Sequence, residues 1–437
     1  MRLAGMILAT VGMLPFLTTG ATAAPPESGD VERLIERLDA GTLRERAAAE
    51  QELLGVGPEL LPLLPAPELL PSPSAREAVR RIRLRLEHDR AVASVAASQV
   101  DVPDSATVEE LLEVIARQTG NRIDPSRLPE EKLARRADLK GGRAAFWPLM
   151  DRLSDAMDFR FEPDAESGTL RLVPLREEPD ARPTAVAHSG AFRIAVESAE
   201  LRPRFGRENE TLLRLRLGIL AEPRLRPLFL KFAADDVRVT DETGEAIAPF
   251  NPQAQWELPL GEGGKGIRLQ LDFVVPRGRV PKQIAVAGSA RMLTAAGSET
   301  FTFDRLAAAA GTARRRGGVT VKLDRVKFEK GGDEAGRAEI GLIVSYDTGG
   351  PAFESHRTWI FHNQASLVTD QGMRVEREGN FGTRLQRDGG VAVDYEFTNL
   401  THPFESYQFL YVAPTLLVNA PVDLSISQVS VFRSKDR

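Results

Sequence analysis

Glu354, His356 and His362 fall in one short stretch, and their side chains are of the types that ligate zinc or a similar ion. On a strand the two histidines would share a face. Six residues at about 3.3 Å each set them roughly 20 Å apart, too far for one ion. Asp235, Asp236 and Asp241 could offer loop carboxylates to calcium, but the spacing of an EF-hand loop is absent. Nucleophilic chemistry fares no better. There is no G-x-S-x-G elbow, Gly288-Ser289 lacks its flanks, and His188-Ser189 sits in what reads as a linker. The run from Gly261 to Gly266, which holds Lys265, misses the spacing of a phosphate loop. It also joins two strands where such a loop needs a helix start. Asp and Glu total 62, so carboxylate pairs arise by chance, and glycoside hydrolysis depends on their separation in space. No catalytic residue, metal ligand or cofactor is assigned, and the chain reads as non-enzymatic.

Aromatic rings leave one candidate surface. All four tyrosines, Tyr346, Tyr395, Tyr407 and Tyr411, lie toward the C-terminus with Trp359 nearby. Trp359, Tyr407 and Tyr411 are the candidate ligand-binding residues, since a sugar or peptide surface uses such rings. Core packing is the competing use. The apolar run from Ser406 to Val418 also suits a sheet edge that a partner strand can extend.

Composition narrows the classes further. Lys and Arg total 57, the net charge is −5, and no cysteine is present. The balance gives no general nucleic-acid footprint. Without cysteine there are no disulfides, thiolate metal sites or cysteine nucleophiles. Arg80 to Arg85 and Arg314 to Arg316 are local basic clusters, read as a solvated helix face beside buried Ile82 and Leu84 and as a glycine-flanked linker. Hydrophobic residues at 42% and charged residues at 27% fit folded domains.

The elements that position these residues form four modules behind a leader. Met1-Arg2, the apolar run Leu3 to Leu17 and Ala21-Thr22-Ala23 have the layout of a cleavable signal peptide over 1–23. A periplasmic or extracellular protein is therefore expected, with no membrane-spanning segment. Residues 24–95 read as helical: Val31, Leu34, Ile35 and Leu38 mark one face, and Gly57-Pro58 stops a second helix. Over 96–178 the expected order is βαββαββ. A capping box stands at Thr107 and Glu110, a strand is expected over Ala134 to Leu139, and a hairpin closes the module.

From 186 onward alternating strands dominate, and the chain repeats itself. Val239-Thr240-Asp241 returns as Val368-Thr369-Asp370, and Ile267 to Phe273 returns as Val391 to Phe397, roughly 125 residues on. Tyr395 aligns with Leu271, an inward position. Two tandem antiparallel β-sandwiches, 186–310 and 317–437, are expected. The fold class is thus multidomain α+β.

Two resemblances add to this reading. "LRERAAAEQELLGVGPELLPLL" followed by "SAREAVRRIRLRL" resembles the HEAT-like units of planctomycete-type exported proteins. One such unit is too small for a solenoid face and should lean on a neighbour. "TVEELLEVIARQTGNRI" with "RAAFWPLMDRLSDAMDFRFEPDAESGTLRLVPL" resembles the short N-terminal domain shared by secretins and TonB-dependent receptors. That resemblance implies a periplasmic protein-binding module without catalytic residues, although no barrel or ring domain follows it. The expectation is an exported adaptor or scaffold acting on an envelope protein partner, with no nucleic acid. The alternative is a carbohydrate or cell-wall ligand-binding protein using the last sandwich. The oligomeric state is not set by the sequence.

Overall fold

The computed structural model describes residues 28–164, 167–175, 182–260, 264–329, 335–346, 360, 363–377, 381–387 and 390–433. The signal-peptide reading at 1–23 lies outside them. The described residues form two compact units, one ending at Leu86 and one beginning at Glu87. The chain is mixed α and β, with large antiparallel sheets in the second unit. No helix among the described residues is long and apolar enough to cross a membrane.

The first unit holds α1 (Ser28–Arg37), α2 (Leu43–Val56) and most of α3 (Pro73–Ser94). Thr42 caps α2 by accepting the Glu45 N–H at 3.2 Å, and Gly57 ends it at φ 90° ahead of Pro58. Val31, Leu38, Leu53, Ile82 and Leu86 fill the core. Leu84, expected inside, is 45% exposed. Ile82 and Leu86 are four residues apart and share a helix face, so a residue midway between them points outward. The basic face is largely engaged: Arg80 pairs with Glu77, Arg81 with Glu50, and Arg83 donates to the Leu64 carbonyl.

The second unit opens with the α+β module. Its elements are β1 (Gln99–Val102), α4 (Val108–Thr119), β2 (Ile123–Asp124), α5 (Glu130–Leu133), β3 (Gly142–Ala145), α6 (Phe146–Met157), β4 (Phe159–Pro163) and β5 (Leu170–Pro174). The capping box forms as the spacing predicts. Thr107 N–H donates to Glu110 Oε2 at 2.8 Å, and Glu110 N–H donates to Thr107 Oγ1 at 3.2 Å. Gly120 then ends α4 in the left-handed region. The strand expected over Ala134 to Leu139 does not form; apart from one bridge between Thr107 and Arg136, that stretch has no ladder. Ala137 and Leu139 still pack on the core as coil, which is why their alternation imitates a strand. The third strand starts later, at Gly142, and pairs with β1.

The β region follows: β6 (Ala185–Ser189), β7 (Phe192–Arg204), β8 (Arg207–Ala221), β9 (Arg226–Ala233), β10 (Val237–Asp241), β11 (Ala246–Pro249), β12 (Gln255–Pro259), β13 (Gly266–Val275) and β14 (Gln283–Phe303). After α7 (Leu306–Ala309) come β15 (Ala313–Arg316), β16 (Val319–Glu329), β17 (Gly336–Tyr346), β18 (Gln364–Thr369), β19 (Arg374–Glu376), β20 (Phe381–Arg387), β21 (Gly390–Leu400), β22 (Tyr407–Ser430) and β23 (Phe432–Arg433). Arg314 to Arg316, expected in a linker, lie in β15 and pair with β16.

The repeat appears in the pairing. β7–β8–β13 corresponds to β16–β17–β21, and β11–β10–β14 to β19–β18–β22. Gly244 N–H donates to the Asp241 carbonyl and Gly372 N–H to the Thr369 carbonyl, both at 2.9 Å. The turns therefore superpose Asp241 on Thr369, one residue from the match that the sequence suggests.

Two cores result, but each uses residues of both copies. β14 and β22 pair along a ribbon from Gln283–Ser430 to Phe303–Phe409. β14 begins in the first core with Ile284 and Val286 and ends in the second with Phe301 and Phe303. β22 runs the other way, from Tyr407, Phe409 and Tyr411 in the second core to Val422, Leu424, Ile426 and Val429 in the first. Each copy's last strand thus completes the other's core.

Candidate functional site

A groove of about 160 Å³ opens on the first β unit between the paired strands β9 and β12 and strand β13. An Asn251-Pro252 turn leads into β12, where Trp256 lies directly across from Phe232 of β9. The two rings stack with centroids 4.8 Å apart and planes 21° from parallel. Phe250, just past β11, is 46% exposed at the mouth. Its N–H donates to the Asp272 carbonyl at 2.8 Å, and the Arg204 guanidinium lies 4.9 Å from its ring centre. Asn251, Gln270 and Asp272 supply polar edges. Arg214 grips Asp272 through two 2.9 Å bonds, and that carboxylate raises the guanidinium above its ordinary pKa. The groove therefore offers an apolar aromatic floor and a rim of amide and carboxylate groups, an arrangement suited to binding.

The residues singled out by sequence lie elsewhere. Trp359 lies outside the described residues, as do Glu354, His356 and His362. Tyr407 and Tyr411 are interior: Tyr407 accepts from the His402 N–H at 3.3 Å, and Tyr411 accepts from Asn363 Nδ2 at 2.8 Å. Burial pushes the Tyr411 phenol up to about 12. Neither ring offers a face to solvent, because β22 turns this side toward the second core. Asp241 is occupied in its own turn, accepting from Thr243 and Glu245 N–H groups and pairing with Arg279 at 2.8 Å. His188 contacts Asp151, which also pairs with Arg193. Trp256, which lines this groove, goes unremarked in the sequence reading. Its signal was a tryptophan in a short alternating strand directly after an Asn-Pro turn.

A second polar concentration lies at the seam between the α+β module and the first β unit. Trp147 of α6, fully buried, donates to the Ala191 carbonyl at 3.1 Å. Glu222, 0% exposed, accepts from Ser98 N–H and Oγ, from Asn121 Nδ2 and from Arg224 Nε. Arg224 in turn donates to the Ser94 and Ala96 carbonyls. Lys265 stands nearby, its ammonium donating to the Leu225 carbonyl. Burial, aided by the positive charges of Arg226 and Arg122, brings its pKa down to about 8 from 10.5.

The sign of the resulting pH effect follows from the proton count. Below pH 8 both folded and unfolded chains carry this proton, and the folded state bears the full cost of the buried charge. Between about 8 and 10 the folded lysine sheds its proton while the unfolded one keeps it, so this residue's contribution to stability rises with pH. Lys265→Met should therefore raise stability most at about pH 7 and less at about pH 9.5, as read by denaturant unfolding at both. Above this window the raised phenols of Tyr346, Tyr395 and Tyr411 act in the opposite direction.

No family model and no curated protein matches the sequence. Among solved structures, a chain titled "pT26-6p" is similar at 9% identity and a TM-score of 0.16, with 57% of this chain and 66% of that chain covered. The match thus spans a little under two thirds of that protein.

Proposed function

We propose that this is an exported, non-enzymatic binding protein of the cell envelope whose recognition site is the Trp256 groove. The supporting observation is the groove's size beside its lining. Sites for free small molecules usually enclose about 300–1,000 Å³. At about 160 Å³ this groove accommodates one ring-sized or branched side chain projecting from a larger partner. Buried anchors of that kind carry most of the affinity at protein interfaces. In this reading the protein is an adaptor, and the α+β module is a secretin/TonB-type short domain followed by two β-sandwiches. The module's α6 face and the start of β1 are already used against the first β unit, so a partner of the module would meet its other faces. A second reading, glycan binding, draws support from the half-exposed Phe250 ring beside the Asn251 and Gln270 amides.

Peptide and glycan arrays probed with the mature chain separate the two readings. The adaptor reading expects peptides with an aromatic or large aliphatic anchor, bound at least tenfold more weakly by Trp256→Ala. Sugars bound in place of peptides, with the same loss, would transfer the site to the glycan reading. Binding that ignores Trp256→Ala and Phe250→Ala would remove the groove from both.

A further inference from the structure

We propose that the first β unit docks onto a second copy of this chain, each copy inserting Phe205 into the other's Trp256 groove. The inference rests on the groove reading above and deepens it by naming the occupant. Phe205 stands at the tip of the β7–β8 hairpin, in a two-residue turn between the paired Arg204 and Arg207. Gly206 takes φ 76° there, the left-handed conformation that such a tight turn needs. The Phe205 side chain is fully exposed, at 103% of its reference area. The residue before it, Arg204, lies over the Phe250 ring at the mouth of the groove. A projecting ring and a socket for one ring are therefore neighbours on one surface.

More apolar surface borders the hairpin. Phe432 of β23 lies beside β7, opposite Glu200. Val275, Thr211 and Pro203 are level across β13, β8 and β7, which brings the β13–β14 turn with Val280 to the same end. Phe205, Phe250 and Phe432 are the exposed phenylalanines among the described residues, and Val280 is exposed with them. Single exposed apolar residues are ordinary, whereas a gathering of them marks an interface. The charges nearby favour a second copy over a membrane. Arg202 pairs with Glu200, Arg204 and Arg207 with Glu210, and Arg279 with Asp241 and Glu245. An anionic bilayer attracts basic residues in excess, and these are balanced by carboxylates. A surface that meets itself sets like charges together unless they are balanced in this way. A two-fold interface needs both halves of each contact on one surface. An axis midway between hairpin and groove places each Phe205 over the partner's socket, and the contact closes at two copies. Dimerisation then covers the groove, so an outside peptide must compete with Phe205 for it.

The test is sedimentation velocity of the mature full-length chain over a concentration series. The expected result is a monomer–dimer equilibrium that Phe205→Ser and Trp256→Ala each weaken by at least about tenfold, the loss of a buried anchor. Thermal melts verify that both variants fold, and Phe250→Ala replaces Trp256→Ala if that chain melts early. The decisive sample mixes the two variants. Each alone lacks both ring–socket contacts, whereas a mixed dimer keeps one: Phe205 of the Trp256→Ala chain in the intact groove of the Phe205→Ser chain. Fluorescence anisotropy of a labelled variant should show tighter association with the other variant than with its own kind. A wild type that stays monomeric overturns the proposal, as does a dimer indifferent to either variant or a mixture no tighter than its parts. A monomer that sediments with phosphatidylglycerol vesicles through Phe205 overturns it in favour of a membrane. Peptide arrays tell the two failures apart. A chain that never dimerises but binds anchor peptides through Trp256 keeps the groove reading and loses this one. A dimer that passes the mixing test and binds no peptide keeps this one and loses the outside partner.

Discussion

A polypeptide ending at Ala310 should fail to form the first β core, although it contains β6 to β14. The first core would lose Val418, Val422, Leu424, Ile426 and Val429, all buried on β22. Burying a side chain of this kind is worth about 1.5–3 kcal/mol, so the five together amount to roughly 8–15 kcal/mol. That equals the whole stability of a typical domain, about 5–15 kcal/mol. Truncation would also leave β14 without its β22 partner from Gln283 to Phe303, and a long bare edge invites aggregation. The expected outcome is an insoluble fragment, or one with collapsed amide dispersion by NMR, beside a well-dispersed full-length chain. Adding a peptide spanning Tyr407 to Arg433 should restore dispersion. A cooperative melt from the fragment by itself would show the two cores to be separable after all.

Glu222→Ala should destabilise the seam by about 3–5 kcal/mol, the range for removing one partner of a buried ion pair. The carboxylate satisfies Ser98, Asn121 and Arg224 together. Without it, Arg224 stays in place, held by the Ser94 and Ala96 carbonyls, with its charge uncompensated. Thermal unfolding should shift downward, and amide exchange should rise first around Ser98 and Asn121. The double variant Glu222→Ala/Arg224→Ala should recover part of the loss, because the stranded charge goes with it; a double-mutant cycle reads that coupling. If the single variant melts within a degree or so of wild type, the network is peripheral to the seam.

The sequence discloses local features well and distant pairing poorly. The capping box at Thr107 and Glu110, the glycine stop at Gly120 and the β4–β5 hairpin are set by neighbours a few residues apart, and all three form. The duplication was legible because each copy keeps its own alternating pattern. The exchange of last strands was not. β14 carries the same alternation whether it faces one core or two, and nothing local states that its partner lies more than a hundred residues onward. The stretch Ala134 to Leu139 misled for a related reason: burial of alternate residues looks like a strand even where no ladder exists. The candidate site divides in the same way. Tyr407 and Tyr411 belong to an apolar strand, and only the fold reveals that both rings turn inward. Trp256 gains meaning only when Phe232 lies opposite it across the β9–β12 pair.

The crossed ribbon also sets a timetable. The first core cannot close until the chain beyond Val418 has been made, well over a hundred residues after Phe303. At about 5–20 residues per second, translation leaves the first copy waiting roughly 6 to 25 seconds with its apolar strands uncovered. During that interval the nascent chain has no finished β core to resist threading through a narrow channel, and much exposed surface for a holding chaperone. Long-range pairing of this kind folds slowly even once the chain is complete. Under the proposed exported reading, threading before folding would fit the order in which the strands become available.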